Sequence, residues 1–109
     1  MKTRETAEKL GLNILCMPSP DKEVTGGYTG DLLSWVMGRA SEGDAWITIM
    51  TNVNIVAVAS LADVACVILA ESQTLEEDVL STAQAKGINV LSSDRSAYDI
   101  ALALGELLK

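Results

Sequence analysis

The chain has 109 residues, 49% of them hydrophobic and 21% charged, which is enough for one compact domain with a buried core and excludes a disordered chain. A net charge of −7 with no basic stripe argues against nucleic acid and against an anionic membrane surface as partners. Histidine and phenylalanine are absent, so the commonest general base and transition-metal ligand are missing and the core must be aliphatic.

Residues 3–10 read as a helix, with Thr3 as cap, Ala7 and Leu10 on one face and Gly11 at the end. A helix-turn-helix reading of this start fails, because residues 13–17 form a strand and two prolines follow. Residues 21–31 then read as a loop feeding a helix. Gly26 and Gly27 offer φ > 0 and close approach, and Asp31 or Thr29 can cap the free N–H groups of a helix over 31–40. Such a turn can hold an anion, although it has neither the P-loop ending nor the dinucleotide glycine spacing. In that helix Leu32, Leu33, Val36 and Met37 share a face and Trp35 falls away from it, either exposed or against another subunit.

After a turn at 41–44 comes a strand over 45–50. Asn52 and Asn54 compete to cap the next helix, 55–62, which is apolar nearly all round. A second copy of the chain is the simplest cover for its free face, so a homodimer is expected through Trp35, Ile55, Val58 and Ala59. The apolar length of residues 53–70 suggests a membrane span, but Asp63 inside it argues for a buried helix followed by a buried strand, 65–70. Thr74 and Glu77 form a capping box that opens a helix to Lys86. Glu76, Glu77 and Asp78 there oppose the helix dipole rather than form a metal or acid/base cluster. A strand over 88–91 and a final helix with Ile100, Ala101, Leu104, Leu107 and Leu108 on its buried stripe complete the chain. Cys16 and Cys66 lack metal or redox spacing and are expected as reduced, buried thiols. No signal-peptide pattern opens the sequence, and the cytoplasm is the expected location.

Regular alternation gives an α/β fold: three layers, α/β/α, with a mainly parallel sheet of about four strands. The loops after the strands are expected to gather at one edge as a ligand site made of Asp21, Lys22, Thr25, Gly26, Gly27, Tyr28, Thr51, Asn52, Asn54, Ser92 and Ser93. These groups suit hydrogen bonding to a polar ligand. They supply no activated nucleophile and base, and no catalytic residue, cofactor or metal is expected.

Asp21, Lys22, Thr25, Gly26 and Gly27 resemble the Asp-Arg-Thr-Gly-Gly signature of the DRTGG domain, with lysine in place of arginine. Tyr28, residues 30–34, 46–48 and 54–59, and 88–93 with the helix after them resemble the family's continuation, so the likeness spans nearly the whole chain. The resemblance implies a small α/β module similar to the N-terminal domain of HPr kinase/phosphorylase. Such modules are regulatory and dimer-forming when fused to phosphotransacetylase-like proteins or, beside nucleotide-binding CBS domains, to inorganic pyrophosphatases. Lys22 keeps the charge of the arginine but not its planar fork. The expected function is thus a non-catalytic regulatory module of a homodimer that binds a small ligand, an adenine nucleotide being one candidate. The alternative is a purely structural dimerisation or protein-docking domain without a ligand.

Overall fold

The computed structural model describes residues 1–109. Its elements in order are α1 (Thr3–Leu10), β1 (Asn13–Cys16), β2 (Gly26–Thr29), α2 (Leu33–Arg39), β3 (Asp44–Thr48), α3 (Asn54–Ala62), β4 (Cys66–Leu69), α4 (Glu77–Ala85), β5 (Val90–Ser92) and α5 (Ala97–Leu107). They build one sheet in the order β1-β5-β4-β3-β2. Strands β2 to β5 are parallel, and β1 runs antiparallel to β5. The α/β, three-layer and mainly parallel expectations hold, with five strands where about four were expected.

The strand added is β2, which contains Gly26 and Gly27. These residues are not a loop: Gly26 to Thr29 pair in register with Asp44 to Ile47 of β3. The segment Gly-Gly-Tyr-Thr lacks apolar alternation, so its strand state comes from its partner rather than from its own propensity.

Alternation along the central strands divides the core. Trp46, Val67, Leu69 and Val90 face Val36 of α2, Ile55 and Ala59 of α3, and Val79 and Ala83 of α4. Ala45, Ile47, Cys66, Ile68 and Leu91 face Ala7 and Leu10 of α1 and Ile100 and Leu104 of α5. Strand β4, read as a central apolar run, is wholly buried. The residues 53–70 divide into α3 and β4, and no helix is long and apolar enough to cross a membrane.

Two expectations about surfaces and ends are corrected. Ile55, Val58 and Ala59 are 0%, 6% and 0% exposed inside the chain itself, so they present nothing to a second copy, whereas Trp35 is 54% exposed and stacks against Arg39. Helix α3 is covered on that side by the sheet and by α2 and α4. Caps also differ. Thr3 is buried and donates from Oγ1 to Lys22 O, Asp31 is drawn to β3, and Thr74 stands outside α4, whose first flanking residue is Glu76. Asn52, not Asn54, serves α3, its Oδ1 accepting from Asn54 N–H at 2.9 Å. The end of α1 at Gly11, in the left-handed region, is as expected.

Candidate functional site

The direction of β1 decides where the expected site residues lie. Because β1 is antiparallel, the segment that follows it emerges at the rim where β2 to β5 begin. Asn89, 1% exposed, pins it there: Oδ1 accepts from Ser19 N–H at 2.9 Å, and Nδ2 donates to Ser19 O at 2.7 Å and Ala65 O at 3.0 Å. Lys22 Nζ reaches Asp63 Oδ1 at 3.2 Å and Val64 O at 3.3 Å, and Thr25 N–H donates to Gly43 O at 2.9 Å. Asp21 lies in the open, paired with Lys2 at 3.5 Å.

Asp21, Lys22, Thr25 and the start of β2 therefore sit at the amino rim of the parallel strands, while Thr51, Asn52, Asn54, Ser92 and Ser93 sit at the carboxyl rim. The single expected edge is two opposite edges. Gly27 and Tyr28 lie between them, within β2.

The amino rim holds a hollow of about 190 Å³ lined by Lys22, Glu23, Glu42 and Asp63. Glu23 is already bound to the Met1 ammonium at 2.8 Å, which holds its carboxyl below the usual range, and Asp63 is bound to Lys22. A second hollow, about 340 Å³, lies between β2 and α5, with Thr25, Gly27, Thr29, Ile47, Leu104 and Gly105 on its walls. Gly27 lies close against α5, and a Cβ on it would stand 2.8 Å from Leu104 Cδ2, the end of a side chain that must shift to admit it.

The carboxyl rim is organised by groups that sequence reasoning assigned elsewhere or did not single out. The Asp31 carboxylate accepts from Thr48 Oγ1 at 2.7 Å and from Ile49 N–H at 3.0 Å, fixing the end of β3. Ser93 Oγ accepts from Arg95 N–H and Nε, both at 3.1 Å, and the Arg95 guanidinium also donates to Leu10 O at the end of α1. A lone arginine in the loop after the last strand is the sequence signal for this clamp. The loop after β4 turns to α4 on one face and the loop after β5 turns to α5 on the other, so the crevice of an α/β sheet lies between them. That crevice is bridged by Glu71 N–H to Arg95 O and Ser72 N–H to Ser93 O, both at 2.9 Å, with Glu71 and Ser72 at φ 58° and 59°.

Charge separates the parts of this rim. Thr51 shares a hollow of about 360 Å³ with Thr74, Glu76 and Glu77, whose carboxylates repel an anion. The first turn of α3 carries no acid, and there Thr51, Asn52 and Asn54 present hydroxyl and side-chain amide groups beside the positive end of the helix dipole, the Asn54 N–H being taken by Asn52 Oδ1. Thiol chemistry has no support: burial pushes Cys66 up to about 12 and raises Cys16 as well, and both are free thiols.

Fold and rims together define a small three-layer α/β domain whose parallel strands end in a polar edge. Residues 31–107 match the DRTGG domain, and the chain belongs to that family. The match begins at Asp31, so residues 21–27, with the signature-like Asp21, Lys22, Thr25, Gly26 and Gly27, lie before it. Among solved structures the chain is similar to the CBS and DRTGG domains of the regulatory region of Clostridium perfringens pyrophosphatase, complexed with the activator diadenosine tetraphosphate. The TM-score is 0.71 at 15% sequence identity, over 91% of this chain and 44% of that one. The chain thus spans less than half the length of that structure. No curated protein matches the sequence.

Proposed function

We propose that the chain is a non-catalytic regulatory module that binds a small polar ligand at the carboxyl rim and works as a homodimer. The observation that carries this reading is the family membership, together with the fold shared with a regulatory region that was crystallised with a nucleotide activator. The rim supports it chemically. Thr51, Asn52 and Asn54 at the acid-free start of α3 form the anion-tolerant part of the edge, whereas Ser92 and Ser93 at the end of β5 are buried, 7% and 4% exposed, and serve the fold. An adenine nucleotide is the ligand class to test first.

The test is thermal unfolding of the whole chain against adenine and guanine nucleotides, dinucleotides and cyclic nucleotides. A ligand at a hundred times its dissociation constant adds about 2.7 kcal/mol, and roughly 4 to 8 °C per kcal/mol makes this visible in a domain of this size. One compound shifting the transition while its neighbours do not is the expected result; a flat panel rejects the ligand.

The second reading is a purely structural dimerisation or docking domain. The close approach of Gly27 to Leu104 favours it, because that contact engages the glycine without any ligand.

A further inference from the structure

Sheet order carries over to the loops of the carboxyl rim: those after β2 and β3 lie at one end of it, those after β4 and β5 at the other. The two ends differ in chemistry. Over β2 and β3 stand Leu32, Ile49 and Val53, 60%, 46% and 51% exposed. The Asp31 carboxylate, engaged by Thr48 Oγ1 and Ile49 N–H, brings the stretch that carries Leu32 up to Ile49. Val53 follows at the start of α3, the helix packed against α2.

Over β4 and β5 the loops, with the first turns of the helices they feed, carry Glu71, Glu76, Glu77, Asp78, Asp94 and Asp99, all exposed, against Arg95 alone. Six carboxylates against one guanidinium leave a net charge of −5 there, most of the −7 of the whole chain. None of the six is in an ion pair: the pairs of this chain are Met1 with Glu23, Lys2 with Asp21, Lys22 with Asp63 and Lys109 with Glu106. The Arg95 guanidinium is turned to Ser93 Oγ and Leu10 O. Helix dipoles account for Glu77, Asp78 and Asp99, but Glu71 and Asp94 stand outside both helices.

We infer that the carboxyl rim docks a short cationic amphipathic segment of a partner protein. Its apolar residues lie over Leu32, Ile49 and Val53, and its lysines or arginines over the six carboxylates. Charge complementarity selects this occupant: the unpaired acids attract a basic chain and repel an acidic one, a second copy of this chain included. The apolar end narrows the choice. A rim that was acidic throughout would take any polycation, whereas three exposed aliphatic side chains beside the acids call for a segment that carries both kinds of residue. Four strands about 4.8 Å apart span roughly 14 Å, the length of about ten helical residues. Thr51 lies between the two ends and shares a hollow with Glu76 and Glu77, so the segment passes over the place assigned to the small ligand. The inference does not depend on that ligand.

Fluorescence anisotropy of a labelled synthetic peptide of about ten residues, one half leucine and alanine and the other half lysine, titrated with the whole chain, tests this. Binding that weakens as salt is raised is expected. The double variant Glu71→Lys with Asp94→Lys, and separately Val53→Ser, each melting as the wild type does, are expected to weaken it by roughly tenfold or more. Glu42→Lys, at the amino rim, should leave it unchanged, and a peptide with serine for leucine should bind at least about tenfold more weakly. No binding at millimolar peptide overturns the inference. Equal binding of the serine peptide reduces it to attraction of any polycation and overturns it too. An equal loss in Glu42→Lys overturns the location. A flat nucleotide panel leaves each of these results as it stands, so the ligand and the docked segment fail separately.

Discussion

At Gly43 the backbone stands at φ +85°, and a Cβ built there collides with Thr25 Oγ1 and lies 3.4 Å from Glu23 O. Gly26 and Gly27, by contrast, are outside the positive-φ residues, and the contact that Gly27 would make is with the end of the flexible Leu104 side chain. Gly43→Ala should therefore cost about 2 to 4 kcal/mol, from left-handed strain plus overpacking against a short, hydrogen-bonded loop. Gly27→Ala should cost no more than about 1 kcal/mol, because Leu104 can turn aside. Urea unfolding of the two variants reads the difference; equal costs would mean that β2, not the turn before β3, is the constrained backbone. Sequence marked residues 41–44 as a turn, but it cannot show which glycine carries the unusual φ. It placed that requirement on the adjacent pair Gly26 and Gly27, which the strand partner in fact holds extended.

Periodicity made the long elements legible at the next scale. The apolar residues of α3 and β4, and Ile100 and Leu104 of α5, lie where their spacing places them. Short elements and caps were not legible, because partners distant in sequence decide them. Thr3 gives its hydroxyl to Lys22 O, Asp31 serves Thr48 and Ile49, and of the helix starts α5 has a side-chain cap, Ser96 Oγ accepting from Asp99 N–H at 3.1 Å. The loop between β4 and α4 is a further case. Glu71 and Ser72 stand in the left-handed region in succession, held by the loop after β5, and no turn residue announces it. An L-residue there bears roughly 1 to 2 kcal/mol of strain that glycine does not, part of which glycine returns as unfolded-state entropy. Ser72→Gly is accordingly expected to raise stability by about 0.5 to 1 kcal/mol, seen as a higher Tm in calorimetry. A lower Tm would show that the Ser72 side chain, not the backbone, holds the loop closed.

Across the whole molecule, one antiparallel strand separates what the sequence joined. Alternating helices and strands imply a parallel sheet with all strand-end loops on one side, and β1 breaks that rule without any local signal. Its orientation follows from the pairing of Asn13 with Ser92 and Cys16 with Val90, contacts between the two ends of the chain. The expected set of ligand residues is consequently two sets facing opposite ways, and they can be told apart. With a compound that raises the Tm, Thr51→Ala and Asn52→Ala should each lower its affinity by roughly five- to tenfold, the worth of one hydrogen bond of about 1 to 1.4 kcal/mol. Lys22→Ala should leave the affinity unchanged, since Lys22 Nζ is engaged with Asp63 and Val64 O at the amino rim. Titration calorimetry on the three variants, each first shown to melt cooperatively, measures this. If Lys22→Ala alone weakens binding, the ligand sits in the hollow of Lys22, Glu23, Glu42 and Asp63. It would then have to be a neutral molecule that accepts from the Lys22 ammonium, because three carboxylates line that space and repel an adenine nucleotide's phosphates, while loss of the ammonium would strengthen the hold on a cation.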